Sequence, residues 1–186
     1  MLKSKLSFLF IFGLSIAFLS CNNDDDPDIP EEEEVITTLS YTLTSSNGDA
    51  VTMSFRDLDG DGGDAPTIIG GTLSANTTYV GLLSLLNESE TPAENVNEEI
   101  EEEDEEHQFF FSSTVPELSV TYGDMDEDGN PLGLVSTVTT GAAGSGTLTV
   151  ILRHEPDKNA EGVPSGNISN AGGETDIEVS FDVTVQ

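Results

Sequence analysis

Two short stretches carry carboxylates at the spacing of a cation-binding loop. Asp57-x-Asp59-x-Asp61-Gly62 follows one apolar run, and Asp124-x-Asp126-x-Asp128-Gly129 follows another. Calcium is a hard cation that takes six to eight oxygens. Carboxylates at positions one, three and five of a tight loop converge on one point, and glycine at six allows the sharp turn. The twelfth position would be Ile68 or Val135 instead of a bidentate glutamate, so neither stretch is an EF-hand. Asp64, Asn130, backbone carbonyls or water would have to complete each sphere. Affinity would then fall in the range of roughly 0.1 to 1 mM seen for extracellular modules. The same residues also build ordinary turns without an ion.

The chain has only two histidines. His107 opens one strand-like run beside Glu106, and His154 closes another beside Glu155. Alternation places His107 on a face with Phe109 and Phe111, and His154 with Leu152 and Val150. If the two runs pair antiparallel, both imidazoles meet at one end of a sheet. His107, His154, Glu106 and Glu155 would then form a zinc-type set. Unpaired, they are two histidines at strand ends. Nothing points to catalysis. There is no Gly-x-Ser-x-Gly, no phosphate-binding glycine loop, and one cysteine, Cys21, placed in a processing signal.

Strands must position these groups. Val51, Met53 and Phe55 alternate with polar residues, as do Leu118, Val120 and Tyr122, then Leu148, Val150 and Leu152, and finally Ile177 through Val185 in steps of two. Further strands are expected over 36–44, 67–74, 77–86, 108–113 and 134–139. About nine short strands separated by Gly, Asn, Asp and Pro predict an all-β fold, an antiparallel β-sandwich of immunoglobulin-like type. The apolar positions and aspartates of 51–62 recur at 118–129, which reads as a repeated strand-and-turn unit. Residues 88–106 read as an acidic loop. Val96 and Ile100 have helical spacing, but glutamates four apart with no basic neighbour oppose a helix.

The N-terminus has the form of an export signal over 1–20. Lys3 and Lys5 precede an apolar stretch over 6–18, which is short for a membrane span. Phe18-Leu19-Ser20-Cys21 is similar to a bacterial lipobox, which implies lipidation of Cys21 and anchoring of the protein to a membrane. Residues 21–34, acidic and with two prolines, read as a solvated tether, and 35–186 as the folded domain. The acidic residues following Cys21 resemble a surface-export signal of Bacteroidota lipoproteins.

These features, with Phe55-Arg56-Asp57-Leu58-Asp59-Gly60-Asp61-Gly62-Gly63, Glu105-Glu106-His107-Gln108-Phe109-Phe110 and the stretch from Gly146 to Pro156, resemble a family of uncharacterised Bacteroidota envelope lipoproteins. Its members often carry the label of a type 1 periplasmic binding fold, which would imply an α/β architecture. The strand periodicity here implies an all-β one. The resemblance implies an outer-membrane lipoprotein working beside a TonB-dependent receptor in nutrient or metal uptake.

Charge sets the outer limits. With 36 Asp+Glu against 5 Lys+Arg and a net charge of -31, the chain lacks the basic surface that displaces counterions from nucleic acid. The expectation is therefore a non-enzymatic, lipid-anchored, surface-facing metal-binding protein, taking calcium at the aspartate loops or zinc at the histidines. The alternative is a structural or adhesive module with calcium-stiffened loops.

Overall fold

The computed structural model describes residues 34–60 and 62–186. Cys21, the export signal, most of the tether and Asp61 lie outside the described residues. The described chain is all-β, with two sheets face to face in a sandwich.

The larger sheet contains β1 (Thr38–Ser45), β2 (Ala50–Arg56), β3 (Thr67–Ile69), β5 (Thr78–Asn87), β6 (Glu94–Asn95), β8 (Ser119–Tyr122) and β9 (Val135–Thr139). Its order is β3-β2-β1-β5-β9-β8, with β6 paired to β5. The smaller sheet contains β4 (Gly71–Leu73), β7 (His107–Ser113), β10 (Gly144–His154) and β11 (Glu174–Val185), in the order β4-β11-β10-β7. The likeness to an immunoglobulin sandwich is one of architecture, two packed sheets; the strand order is its own.

Period-two alternation fills the space between the sheets. Leu39, Tyr41 and Leu43 of β1, with Met53, Leu83 and Leu85, meet Leu148, Val150 and Leu152 of β10 and Val179, Phe181 and Val183 of β11. All are buried. Tyr41 shares a hydrogen bond of 2.6 Å with Ser136 Oγ, which satisfies its hydroxyl in the interior. Burial pushes the Tyr41 pKa up to about 12, against a smaller lowering by that hydrogen bond.

The nine expected strands become eleven for two local reasons. The run 67–74 divides at Gly70, because β3 pairs with β2 in one sheet while β4 runs parallel to β11 in the other. A Cβ on Gly70 would lie 2.1 Å from the Asp182 carbonyl oxygen, so only glycine allows this crossing between sheets. The second addition, β6, is a two-residue strand beside the end of β5.

The acidic loop expected over 88–106 contains a helix, α1 (Val96–Glu102). Burial outweighs the repulsion among its glutamates: Val96 and Ile100 are enclosed in the main core, while the glutamates Glu98, Glu99, Glu101 and Glu102 face solvent. Asn97 pins the helix to β5. Its Oδ1 accepts from Leu85 N at 2.7 Å, and its Nδ2 donates to Leu83 O at 3.0 Å. The helix ends at Glu103, just before β7 begins at His107.

The two repeat copies have different settings. The 51–62 copy enters from β2, between β1 and β3, whereas the 118–129 copy enters from the edge strand β8. No helix among the described residues is long and apolar enough to cross a membrane.

Candidate metal centre

Strands β7 and β10 are antiparallel neighbours, and their register pairs His107 directly with His154. The two rings stack with centroids 4.8 Å apart and planes at 17°. Both residues are buried, His107 at 0% and His154 at 7% exposure. Imidazoles this deep are costly unless their nitrogens are used.

His107 has a defined role for each nitrogen. Nδ1 lies 3.1 Å from the carbonyl oxygen of Glu103, the residue that ends α1. That carbonyl can only accept, so Nδ1 carries a proton. Nε2 is then left for an acid or a metal ion. A backbone carbonyl on one imidazole nitrogen is the usual support for a ligating nitrogen on the other side of the ring.

Here Nε2 faces Glu34 Oε1 at 2.8 Å, and the Glu34 side chain is only 5% exposed. Burial would lower the His107 pKa, but the hydrogen bond and charge of Glu34, the Glu103 carbonyl and the charge of Asp176 together raise it. Burial likewise opposes ionisation of Glu34, and His107 overrides it, holding the carboxyl below its ordinary value. The charged forms of the two side chains thus favour each other across this contact.

His154 is flanked by two carboxylates. Glu106 Oε2 lies 4.0 Å from Nε2, and Asp176 Oδ1 lies 4.0 Å from Nδ1. The Asp176 side chain has no exposed surface. Its position follows from an irregularity in the ladder. Leu152 pairs with Ile177 but Arg153 pairs with Thr175, so Asp176 is the extra residue of a β-bulge. Strict alternation would put it on the wet face with Glu178 and Ser180; the bulge aims it inward.

Among the described residues, one group of three or more metal-type side chains has ligand atoms close enough to share an ion: Glu34, His107 and His154, all within 4.8 Å of one another. Two imidazole nitrogens and a carboxylate oxygen form a zinc-type donor set, with Asp176 and Glu106 at its margin. Of the four residues expected from sequence, the histidines come together and Glu106 stands at the edge. Glu155 does not join: its side chain is exposed, and its backbone N donates to Glu106 O at 2.6 Å. Sequence reasoning missed Glu34, because it belongs to the acidic run of the tether, and Asp176, because the bulge is invisible to a period-two count.

The aspartate loops use their carboxylates otherwise. In the first, Asp57 Oδ1 accepts from Asp59 N at 3.3 Å and Gly60 N at 3.0 Å, and Asp59 Oδ2 accepts from Asp64 N at 2.8 Å. These contacts shape an exposed turn. In the second, Asp124 accepts from Gly133 N and Val135 N at 2.7 and 2.8 Å. Asp126 accepts from Asn130 N at 2.7 Å and from Lys158 Nζ at 2.9 Å. Lys158 is itself buried and also donates to the carbonyl of Asp104. An ammonium of the chain thus neutralises Asp126. Burial would raise the Asp126 pKa, but the hydrogen bonds and charge from Lys158 and the backbone bring it below the ordinary value. Among the described residues, Asp128 joins no group of three carboxylate or imidazole ligands with these aspartates.

No family model matches the chain, and neither a curated protein nor a solved structure matches it.

Proposed function

We propose that this protein binds a divalent transition-metal ion, zinc in the first instance, through Glu34, His107 and His154. The observation that carries this reading is the convergence of the three ligand atoms around a buried imidazole whose other nitrogen is already held by the Glu103 carbonyl. A metal ion needs the deprotonated Nε2 of His107, whose pKa the neighbouring Glu34 raises, so uptake releases protons and strengthens as pH rises.

In this reading the domain captures metal without catalysis. Lipidated at Cys21 and carried on the outer membrane, it serves as an accessory to a TonB-dependent uptake receptor. Support comes from the lipobox-like Phe18-Leu19-Ser20-Cys21 and the acidic residues after it.

The calcium-stiffened adhesive module is a second reading. Its support narrows to the first loop, where Asp59 and Asp64 are exposed and Asp57 is half-buried, since Lys158 already serves the second.

The test is metal content and metal-dependent melting of the purified protein. Zinc should raise Tm in the wild type and leave His107→Ala and His154→Ala unmoved. A zinc-indifferent wild type would sink the transition-metal reading. A calcium response abolished by Asp59→Asn would favour the second.

A further inference from the structure

The histidine site has an acidic approach. Glu34, Glu90, Glu94, Glu99, Glu102 and Glu103 surround an open cavity of about 590 Å³, and no basic residue lines it. These glutamates come from the chain before β1, the segment between β5 and α1, and α1 with its C-terminal cap. Their mutual repulsion is visible at Glu99, whose pKa is raised by burial first, and then by the charges of Glu94, Glu34, Glu103 and Glu102.

Two of the lining residues also touch His107. Glu103 holds Nδ1 through its carbonyl, and Glu34 reaches Nε2 through Oε1. The other oxygen of Glu34, Oε2, is buried and accepts no hydrogen bond among the described residues. A buried carboxylate oxygen without a donor is expensive, and a cation is the partner it lacks.

The cavity is not itself a ligand shell. Among the described residues, its carboxylates form no group of three ligand atoms that could share an ion. A divalent cation inside would keep its water and be held by field alone. Clefts lined by one sign of charge concentrate counter-ions and speed their entry by about 10- to 1,000-fold.

We propose that this cavity is an electrostatic antechamber: it collects hydrated divalent cations and delivers them past Glu34 to His107 and His154. The proposal rests on the histidine site being a metal centre.

The test is stopped-flow uptake of Co2+ by the purified protein, with cobalt absorbance as the signal. The variant Glu90→Gln/Glu99→Gln/Glu102→Gln removes three exposed charges and leaves the ligands in place. At low salt its association rate should fall about 10-fold or more, its salt dependence should flatten, and its dissociation rate should not change. Equal association rates in variant and wild type overturn the antechamber and leave the metal centre standing. A loss carried by faster dissociation also overturns it, because the glutamates would then be ligands. Failure of the wild type to take up cobalt at any concentration overturns both readings.

Discussion

His107 and Glu34 couple stability to pH with a definite sign. The raised His107 pKa stabilises the fold fully below the unfolded histidine value, and this contribution is lost as pH rises through the folded value. The lowered Glu34 pKa stabilises above the unfolded glutamate value and is lost as pH falls through the folded one. Both contributions are complete only between the unfolded values, at about pH 4.3 to 6.5. Metal-free protein should therefore melt highest in mildly acidic buffer and lose Tm towards pH 8.5, while the zinc-induced shift grows over the same interval. Calorimetry with and without chelator checks this, and a chelated protein with a flat profile would contradict the pairing. Lys158 gives a second expectation. Lys158 and Asp126 are almost wholly enclosed, with side chains 4% and 1% exposed. Lys158→Ala would leave a buried carboxylate without its cation and should cost about 3 to 5 kcal/mol in urea unfolding. The double variant Lys158→Met/Asp126→Leu should recover much of that loss.

At the scale of elements, α1 is the support of the site. It buries Val96 and Ile100, and its terminal residue supplies the carbonyl that orients His107. Ile100→Ala should cost about 2 to 5 kcal/mol by opening a cavity. It should also weaken zinc binding, since a loosened helix no longer fixes the His107 ring. Denaturant titration and zinc titration on the same variant separate the two effects. Loss of stability with unchanged zinc affinity would show that the carbonyl does not position the imidazole. Gly70 marks the other sensitive junction. A methyl group there meets the Asp182 carbonyl, so Gly70→Ala should detach β4 from β11. Amide exchange over residues 183–185 would report the detachment, and unchanged protection would refute it.

Across the whole molecule, acidic charge dominates. A net charge of -31 repels itself in the compact state. Sodium chloride should therefore raise Tm steadily between low and physiological ionic strength by screening. A Tm insensitive to salt would mean that the local pairs, Lys158 with Asp126 and Arg56 with Glu88, already relieve the repulsion. The charge is unevenly placed. On the outer face of the larger sheet, β1 presents Thr38, Ser40, Thr42 and Thr44, and β5 presents Thr78, Val80, Leu82 and Ser84, with no carboxylate in either row. The glutamates gather instead around α1 and the cavity beside it.

The sequence by itself determined the all-β class and most of the strands, because alternation is a local property of a half-buried chain. It also determined that two histidines stand at strand ends, from their place in that alternation. Tertiary structure decided which strands are neighbours, and so set His107 against His154. Pairing depends on contacts between residues far apart in the chain, which no local pattern records. It drew Glu34 from the tether and turned Asp176 inward through a bulge, against the period. It folded α1 where repulsion alone favours a loop, because the burial of Val96 and Ile100 needs a core that exists only in the folded molecule. It also placed Lys158 against Asp126, so that an aspartate of a calcium-like motif holds an ammonium group of its own chain.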